Sequence, residues 1–183
     1  MGQVIVQEGP LAIREMKDSP ADYSLLARWL SDPRVLEYYE GRDHPFTYDQ
    51  VVQDFGPDGH PDEEVTPCIL MHEDRPIGYL QFYPADPESY SFEDEGVVYG
   101  LDLFIGETDV WGQGLGTKLI QMLLRYLWEE RGADWAILDP HVDNLRAIRV
   151  YEKCGFRKLK LLPRHEWHEG QYVDCWLMGV RRE

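Results

Sequence analysis

Apolar and polar residues recur along the chain with two periods, and each period predicts one type of secondary structure. Runs rich in β-branched and aromatic residues predict strands at 11–16, 66–72, 76–83, 97–105, 135–138, 156–162 and 172–180. Apolar positions three or four residues apart predict five helices. The first begins at a cap at Asp18 or Ser19 and ends at residue 30. The others lie at 33–40, at 47–55, from the glycine-rich segment to Gly132, and at 144–154. Strands and helices alternate after a mixed first half, so we expect an α/β fold with a mixed sheet and helices on both faces.

One stretch, 96–117, organises the rest of the prediction. A buried strand leads into a loop with Gly112, Gly114 and Gly116, and an amphipathic helix follows directly. Unpaired amides and the helix dipole favour an anion at such a helix N-terminus. The order Gly116-Thr117-Lys118 is not that of a Walker loop, and the glycine spacing does not match the dinucleotide fingerprint. A glycine-rich turn without a ligand remains the alternative.

Length and charge narrow the class of protein. The chain has 183 residues with neither an internal repeat nor a linker-like tract, which predicts one domain over 1–183. Its 34 acidic and 18 basic residues give a formal charge of -16, which disfavours nucleic acid and anionic membranes as partners. The excess either serves solubility or attracts a polycation. Acidic clusters at 58–64 and 84–95 favour the polycation if both border one cleft.

The chain start shows neither a secretory signal nor a membrane span, and three widely spaced cysteines suit reduced thiols, so we expect a cytoplasmic protein. The segment His165-Glu166-Trp167-His168-Glu169 resembles a metal cluster, but its spacing is not HExxH. We therefore expect no metal, and we interpret this segment as a loop between the last two strands.

Three residues stand out as candidates for chemistry. Asp102 is the only charged residue in the apolar run 97–105, and a carboxylate there requires an explanation. Asn144, the only asparagine, lies where a helix cap is expected. Tyr151 follows it on the apolar stripe of that helix, where a tyrosine is either a core residue or a proton donor.

The succession of these motifs resembles the Gcn5-related N-acetyltransferase (GNAT) family. The resemblance rests on WGQGLGTKL followed by NLRAIRVYEKCGF and covers roughly 11–180. The runs VLEYYEGRD, VYGLDLFIGE, ILDPH and LPRHEWHEG are similar to the aminoglycoside 6'-N-acetyltransferases, above all to the acetyltransferase domains of the bifunctional acetyltransferase-phosphotransferases. The resemblance implies a GNAT fold with a mostly antiparallel sheet of six to seven strands, splayed at its central strands.

The resemblance also assigns roles to residues. Acetyl-CoA is the implied cosubstrate and a polycationic aminoglycoside the implied substrate. The implied catalytic residues are Asp102, as base or relay, and Tyr151, as acid to the coenzyme A thiolate; Tyr99, Asp139 and Glu169 would contact the substrate. Cofactor contacts are implied for Leu103, Phe104, Ile105, Trp111, Gln113, Gly114, Leu115, Gly116, Thr117 and Asn144. Trp111 departs from the usual Gln or Arg of the motif, which removes one side-chain contact to phosphate.

The resulting hypothesis is acetyl transfer to the 6'-amino group of aminoglycosides, which would confer resistance. A siderophore-type N6-hydroxylysine acetyltransferase and a non-catalytic acyl-CoA-binding module are the alternatives. The sequence leaves open the oligomeric state, the range of drugs accepted, any O-acetylation, and whether Asp102 or Asp139 accepts the proton.

Overall fold

The computed structural model describes residues 2–59, 64–86, 88 and 96–183. These residues form strands β1 (Val4–Glu8), β2 (Leu11–Glu15), β3 (Thr66–His72), β4 (Arg75–Pro84), β5 (Val98–Ile105), β6 (Trp135–Leu138), β7 (Arg157–His168) and β8 (Gln171–Arg181). The helices are α1 (Pro20–Trp29), α2 (Pro33–Leu36), α3 (Tyr48–Phe55), α4 (Leu115–Glu130) and α5 (Leu145–Lys153). Much of the acidic clusters lies outside the described residues, so their place in one cleft stays a prediction.

The strands form one sheet in the order β1-β2-β3-β4-β5-β6-β8-β7. Pairing is antiparallel for β1–β2, β2–β3, β6–β8 and β7–β8 and parallel for β5–β6. The predicted mixed, mostly antiparallel sheet is thereby confirmed, with eight strands where six to seven were expected. The splay of the central strands stays a prediction.

Local sequence signals place several element ends correctly. Glu73 and Asp74 adopt positive φ values of 50° and 64° and form the predicted tight turn between β3 and β4. Thr47 caps α3 through a reciprocal capping box with Gln50. Gly132 follows α4 with a φ of 64°, a left-handed conformation that costs glycine nothing.

Three elements differ from the prediction, one by its absence and two in extent. Strand β1 was missed, because a short edge strand with the pattern Val-Ile-Val-Gln-Glu shows no alternation to detect. Helix α2 ends at Leu36, earlier than the predicted 40. Strand β7 continues to His168 through a register shift between Leu162 and Glu166. The segment 165–168 is therefore strand, and the predicted loop is reduced to a turn at Glu169 and Gly170.

The chain divides into two compact units. The first comprises Met1–Gln81 and Leu103–Leu115. Its core surrounds Phe104, whose ring lies 4.7 Å from Tyr39, 5.8 Å from Tyr79 and 6.0 Å from Trp29, centroid to centroid. This aromatic cluster fixes the end of β5 from which the glycine loop departs.

The second unit comprises Phe82–Asp102 and Gly116–Glu183. Its buried apolar cluster joins Val98, Trp135, Ile137 and Leu177 from three strands. The single domain predicted over 1–183 stays a prediction. None of the helices in the described part of the chain is long and apolar enough to span a membrane.

Candidate active site

The glycine loop presents free backbone donors at the start of α4. Gly112 and Gly114 have φ values of 81° and 76°, in the left-handed region that favours glycine. Within the described residues, neither a backbone carbonyl nor a side chain accepts a hydrogen bond from the N–H groups of 112–117. The loop therefore meets the requirement of the predicted anion site, because these donors and the positive end of the α4 dipole need a partner.

Trp111 anchors the loop to the strand before it. Its indole Nε1 donates a hydrogen bond of 2.9 Å to the carbonyl oxygen of Ile105. Its backbone N–H bonds to the carbonyl of Thr108, in the 3-10 turn Thr108–Val110. Trp111, which departs from the family pattern, therefore positions the loop. A contact of Trp111 with a cofactor stays a prediction.

Glu107 lies between β5 and the 3-10 turn and binds partners that are distant in sequence, and sequence reasoning missed it. Its buried carboxylate accepts a hydrogen bond of 3.0 Å from Trp29 Nε1, and ion pairs join it to Arg28 and, at 3.2 Å, to Arg75. Burial opposes ionisation, but the hydrogen bonds from Trp29 and Arg28 outweigh it and lower the pKa of Glu107. Arg75 also binds Asp109. No local pattern could reveal this network, because its members lie far apart in sequence.

The second unit brings together three of the predicted residues. Burial raises the pKa of the partly buried Tyr151 well above its usual range, and the carboxylates of Asp102 and then Asp139 raise it further. Both carboxylates therefore act electrostatically on the phenol. The Tyr151 hydroxyl is therefore protonated at neutral pH and able to donate a proton.

The position of Tyr151 follows from how α5 is capped at both ends. Asn144 Oδ1 accepts a hydrogen bond of 3.3 Å from the Ala147 N–H, so the predicted N-cap is confirmed. Gly155, with a φ of 94°, ends the helix. The Cys154 thiol lies 3.5 Å from the Thr117 carbonyl oxygen and connects α5 with the first turn of α4.

Tyr99 lies apart from this group. Its ring packs 6.3 Å from that of Phe82. The hydrogen bonds that Arg131 donates to the hydroxyl oxygens of Tyr126 and Tyr99 raise the pKa of Arg131. Regular alternation along β5 (Val98–Ile105) would place Tyr99 and Asp102 on opposite faces. Its contact with a substrate stays a prediction.

Asp139 has a partner that the sequence did not indicate. His165 Nε2 lies 2.7 Å from Asp139 Oδ2, and this hydrogen bond raises the pKa of His165 although burial opposes the shift. Glu169 lies in the β7–β8 turn with a φ of 49°, and one of its carboxylate oxygens lies 3.6 Å from His168 Nε2. Whether Glu169 borders the substrate stays a prediction. Three possible metal ligands, His141, Glu166 and Cys175, lie in the same unit.

Comparison with known proteins shows which family the chain resembles. The model of the acetyltransferase (GNAT) domain matches residues 18–163. Over 140 residues the chain is 34% identical to an aminoglycoside N(6')-acetyltransferase type 1 of Klebsiella pneumoniae, an alignment that covers 75% of this chain and 70% of that protein.

The chain is also similar to solved structures of an aminoglycoside acetyltransferase. The chain superposes on aminoglycoside acetyltransferase AAC(6')-Ib in complex with coenzyme A and kanamycin with a TM-score of 0.75 and 29% identity, over 94% of this chain and 95% of the other. A complex of AAC(6')-Ib with paromomycin and acetyl-CoA gives a TM-score of 0.76 at 28% identity, over 95% and 94% of the two chains.

Proposed function

Because the chain belongs to the GNAT acetyltransferase family, we propose that it transfers the acetyl group of acetyl-CoA to the 6'-amino group of aminoglycosides. The observation that carries this proposal is the 34% identity to an enzyme with that activity in its name. The electrostatic effect of Asp102 and Asp139 on a protonated Tyr151 also supports it, since the reaction needs both a base and an acid.

The glycine loop binds the pyrophosphate of acetyl-CoA in this proposal. Its backbone donors at Gln113, Gly114, Leu115, Gly116 and Thr117 face no acceptor within the described residues. Pantetheine then runs along Leu103–Ile105, the end of β5 that follows Asp102 directly in the chain. A backbone N–H in that stretch stabilises the developing oxyanion of the thioester.

Acetyl transfer requires two proton movements, and the site supplies one group for each. The substrate ammonium loses a proton to Asp102, directly or through a relay, and the neutral amine attacks the thioester carbon. The carbon–sulfur bond breaks, and the coenzyme A thiolate takes the phenolic proton of Tyr151. The raised pKa keeps Tyr151 protonated in the resting site. Because the phenolate is a stronger base than the thiolate, it regains a proton from the acid formed at Asp102, which closes the proton balance.

Acidic side chains bind the polycationic substrate. We assign Asp139, Glu169 and Tyr99 to this surface, with His165 holding the Asp139 carboxylate in place at 2.7 Å. We also place the enzyme in the cytoplasm, where its three free cysteines stay reduced.

The direct test is acetyl-CoA turnover with kanamycin and tobramycin, with the product position determined by NMR. We expect acetylation of the 6'-amine, and congeners with a 6'-hydroxyl group serve as the control that should not react at that position. Absence of turnover with both 6'-amino drugs, or turnover restricted to 6'-hydroxyl congeners, would contradict the proposal.

A further inference from the structure

A second cluster of reactive side chains lies where the β7–β8 hairpin meets the segment after β6. His141 Nε2, one Glu166 carboxylate oxygen and Cys175 Sγ all lie within 4.8 Å of one another. The His141 and Glu166 atoms are 2.9 Å apart. We infer that these three side chains form a binding site for a thiophilic divalent cation of the zinc type.

Backbone pairing holds the three donors in place. His141 and Cys175 are partners in an antiparallel bridge, and the neighbouring Val142 N–H bonds to the Asp174 carbonyl at 3.1 Å. Glu166 lies opposite Val173 in the β7–β8 ladder. Each donor thus comes from a different extended segment, and the segments are bonded to one another before any ion arrives. Such preorganisation is what a metal site requires.

The donor set selects the class of cation. One imidazole nitrogen, one thiol sulfur and one carboxylate oxygen are ligands typical of zinc, whereas magnesium and calcium prefer oxygen alone. His141 and Cys175 are buried, whereas 42% of the Glu166 side chain is exposed. The ion can therefore enter from the Glu166 side, and water can complete a tetrahedral shell there.

The surroundings favour a cation as well. Four carboxylates, those of Asp139, Glu166, Asp174 and Asp143, interact electrostatically with Cys175. These negative charges penalise a bare thiolate, and a divalent cation would compensate them.

A second imidazole adjoins the cluster and points to the same conclusion. The His168 ring packs edge-on against that of His141 at 4.5 Å between centroids. His168 is buried, and its Nδ1 has no hydrogen-bond partner within the described residues. A buried polar atom without a hydrogen-bond partner is costly. Hydrogen bonding within the described residues therefore does not by itself explain how these side chains are arranged.

No step of the proposed acetyl transfer involves this site. It lies close to the reaction's predicted amine pocket, because His141 is two residues from Asp139 and Glu166 follows His165. A bound ion would tie the hairpin that carries Glu169 to the segment that carries Asp139. The inference does not rest on the proposed function, and its test measures binding and not activity.

The test uses untagged, full-length, metal-free protein titrated with Co²⁺ and followed by absorption spectroscopy. We expect one ion per chain, a sulfur-to-cobalt charge-transfer band, and displacement of Co²⁺ by Zn²⁺. Cys175→Ser should abolish the charge-transfer band, and Glu166→Gln should weaken binding about tenfold or more. The matched control is Cys68→Ser, since Cys68 is equally buried but lies in the first unit.

Thermal unfolding gives a second readout. Zn²⁺ should raise the Tm of the wild type and of Cys68→Ser, and leave that of Cys175→Ser unchanged, because only binding to the folded state stabilises it. If Cys175→Ser does not fold, the part-exposed Glu166→Gln decides. Absence of Co²⁺ binding to the wild type, or the same spectrum and affinity in Cys175→Ser or Glu166→Gln as in the wild type, would overturn the inference.

Discussion

Asp102 and Tyr151 illustrate how single residues obtain their chemistry from their surroundings. Neither side chain is unusual in composition, yet burial and two neighbouring carboxylates hold the Tyr151 phenol in its protonated form. Asp102 interrupts an otherwise apolar strand, where a carboxylate without a function would be a liability. At this scale the proposed mechanism makes two separable predictions.

Removing the Asp102 charge should impair catalysis strongly. In Asp102→Asn we expect kcat/KM to fall by about 100-fold or more, because the amide cannot accept the proton of the substrate ammonium. Steady-state kinetics checks this value. The matched control is Asp54→Asn, an exposed carboxylate on α3 that should leave kcat/KM unchanged. Equal activity of Asp102→Asn and the wild type would favour a non-catalytic acyl-CoA-binding module.

Removing the Tyr151 hydroxyl should have a smaller and different effect. In Tyr151→Phe we expect kcat to fall about tenfold with little change in the KM for acetyl-CoA, since proton donation to the thiolate occurs after binding. The ring and its contact with Phe156, 6.1 Å away, are retained. A change confined to KM would instead indicate that the hydroxyl binds the cofactor.

At the scale of elements, two junctions depend on particular residue types. The loop before α4 depends on positive φ values, and the junction between β2 and α1 depends on a buried ion pair. Arg14 and Asp22 are bonded at 2.8 Å with side chains only 7% and 5% exposed. Both junctions rest on contacts that only a few residue types can make.

The glycine loop can be tested by adding a single methyl group. In Gly114→Ala we expect the KM for acetyl-CoA to rise several-fold, because a φ of 76° costs an L-residue roughly 1–2 kcal/mol and relaxation turns the amides away from the phosphate. Gly9→Ala is the matched control. Gly9 has a φ of 58° and equally open space, but it lies in the β1–β2 turn. Equal effects of the two variants on KM would contradict a role of the loop in cofactor binding.

The buried ion pair makes stability depend on acid. Burial opposes ionisation of Asp22, but hydrogen bonds from Arg14 and from the Lys17 N–H outweigh it and lower its pKa. A lowered pKa stabilises the fold above about pH 4, and this contribution is lost as pH falls through the pKa of the folded state.

In Asp22→Asn we expect the free energy of unfolding at pH 7 to fall by about 3–5 kcal/mol, since Arg14 remains buried without its partner. Its acid-dependent loss of stability should also be smaller than that of the wild type. Denaturant unfolding at pH 7 and below pH 4 measures both. The control is Asp32→Asn, which removes an exposed ion pair with Arg34 and should cost at most about 1 kcal/mol.

At the scale of the whole molecule, the charge of -16 governs association with cations. Contacts between exposed carboxylates and ammonium groups are individually weak, so affinity for a polycation must be spread over many of them. Such an interaction weakens as salt screens it.

We therefore expect the KM for kanamycin to rise steeply between low and physiological ionic strength, while the KM for acetyl-CoA changes little or falls. Steady-state kinetics over a salt series checks this. A KM for the amine that does not respond to salt would favour a small, weakly charged substrate, such as the N6-hydroxylysine of the alternative hypothesis.

Most of the fold follows from local signals that the sequence contains. The turn at Glu73 and Asp74 and the Asn144 cap each depend on residues close together in the chain. The predictions failed where strand pairing extended an element beyond its local sequence signal. The strand predicted at 156–162 continues past Pro163 to His168, and the Arg164 N–H donates to Asp174 Oδ1 at 2.8 Å.

The sequence by itself determined the order of the predicted elements, the glycine loop at a helix start and the acidic charge. Periodicity and turn chemistry depend on neighbouring residues, and net charge is a sum over all residues of the chain. The tertiary structure alone decided which distant groups meet: Tyr151 with two carboxylates, His165 with Asp139, and His141 with Glu166 and Cys175. Such meetings depend on strand register across the sheet, and a shift by one residue reverses which face each side chain occupies.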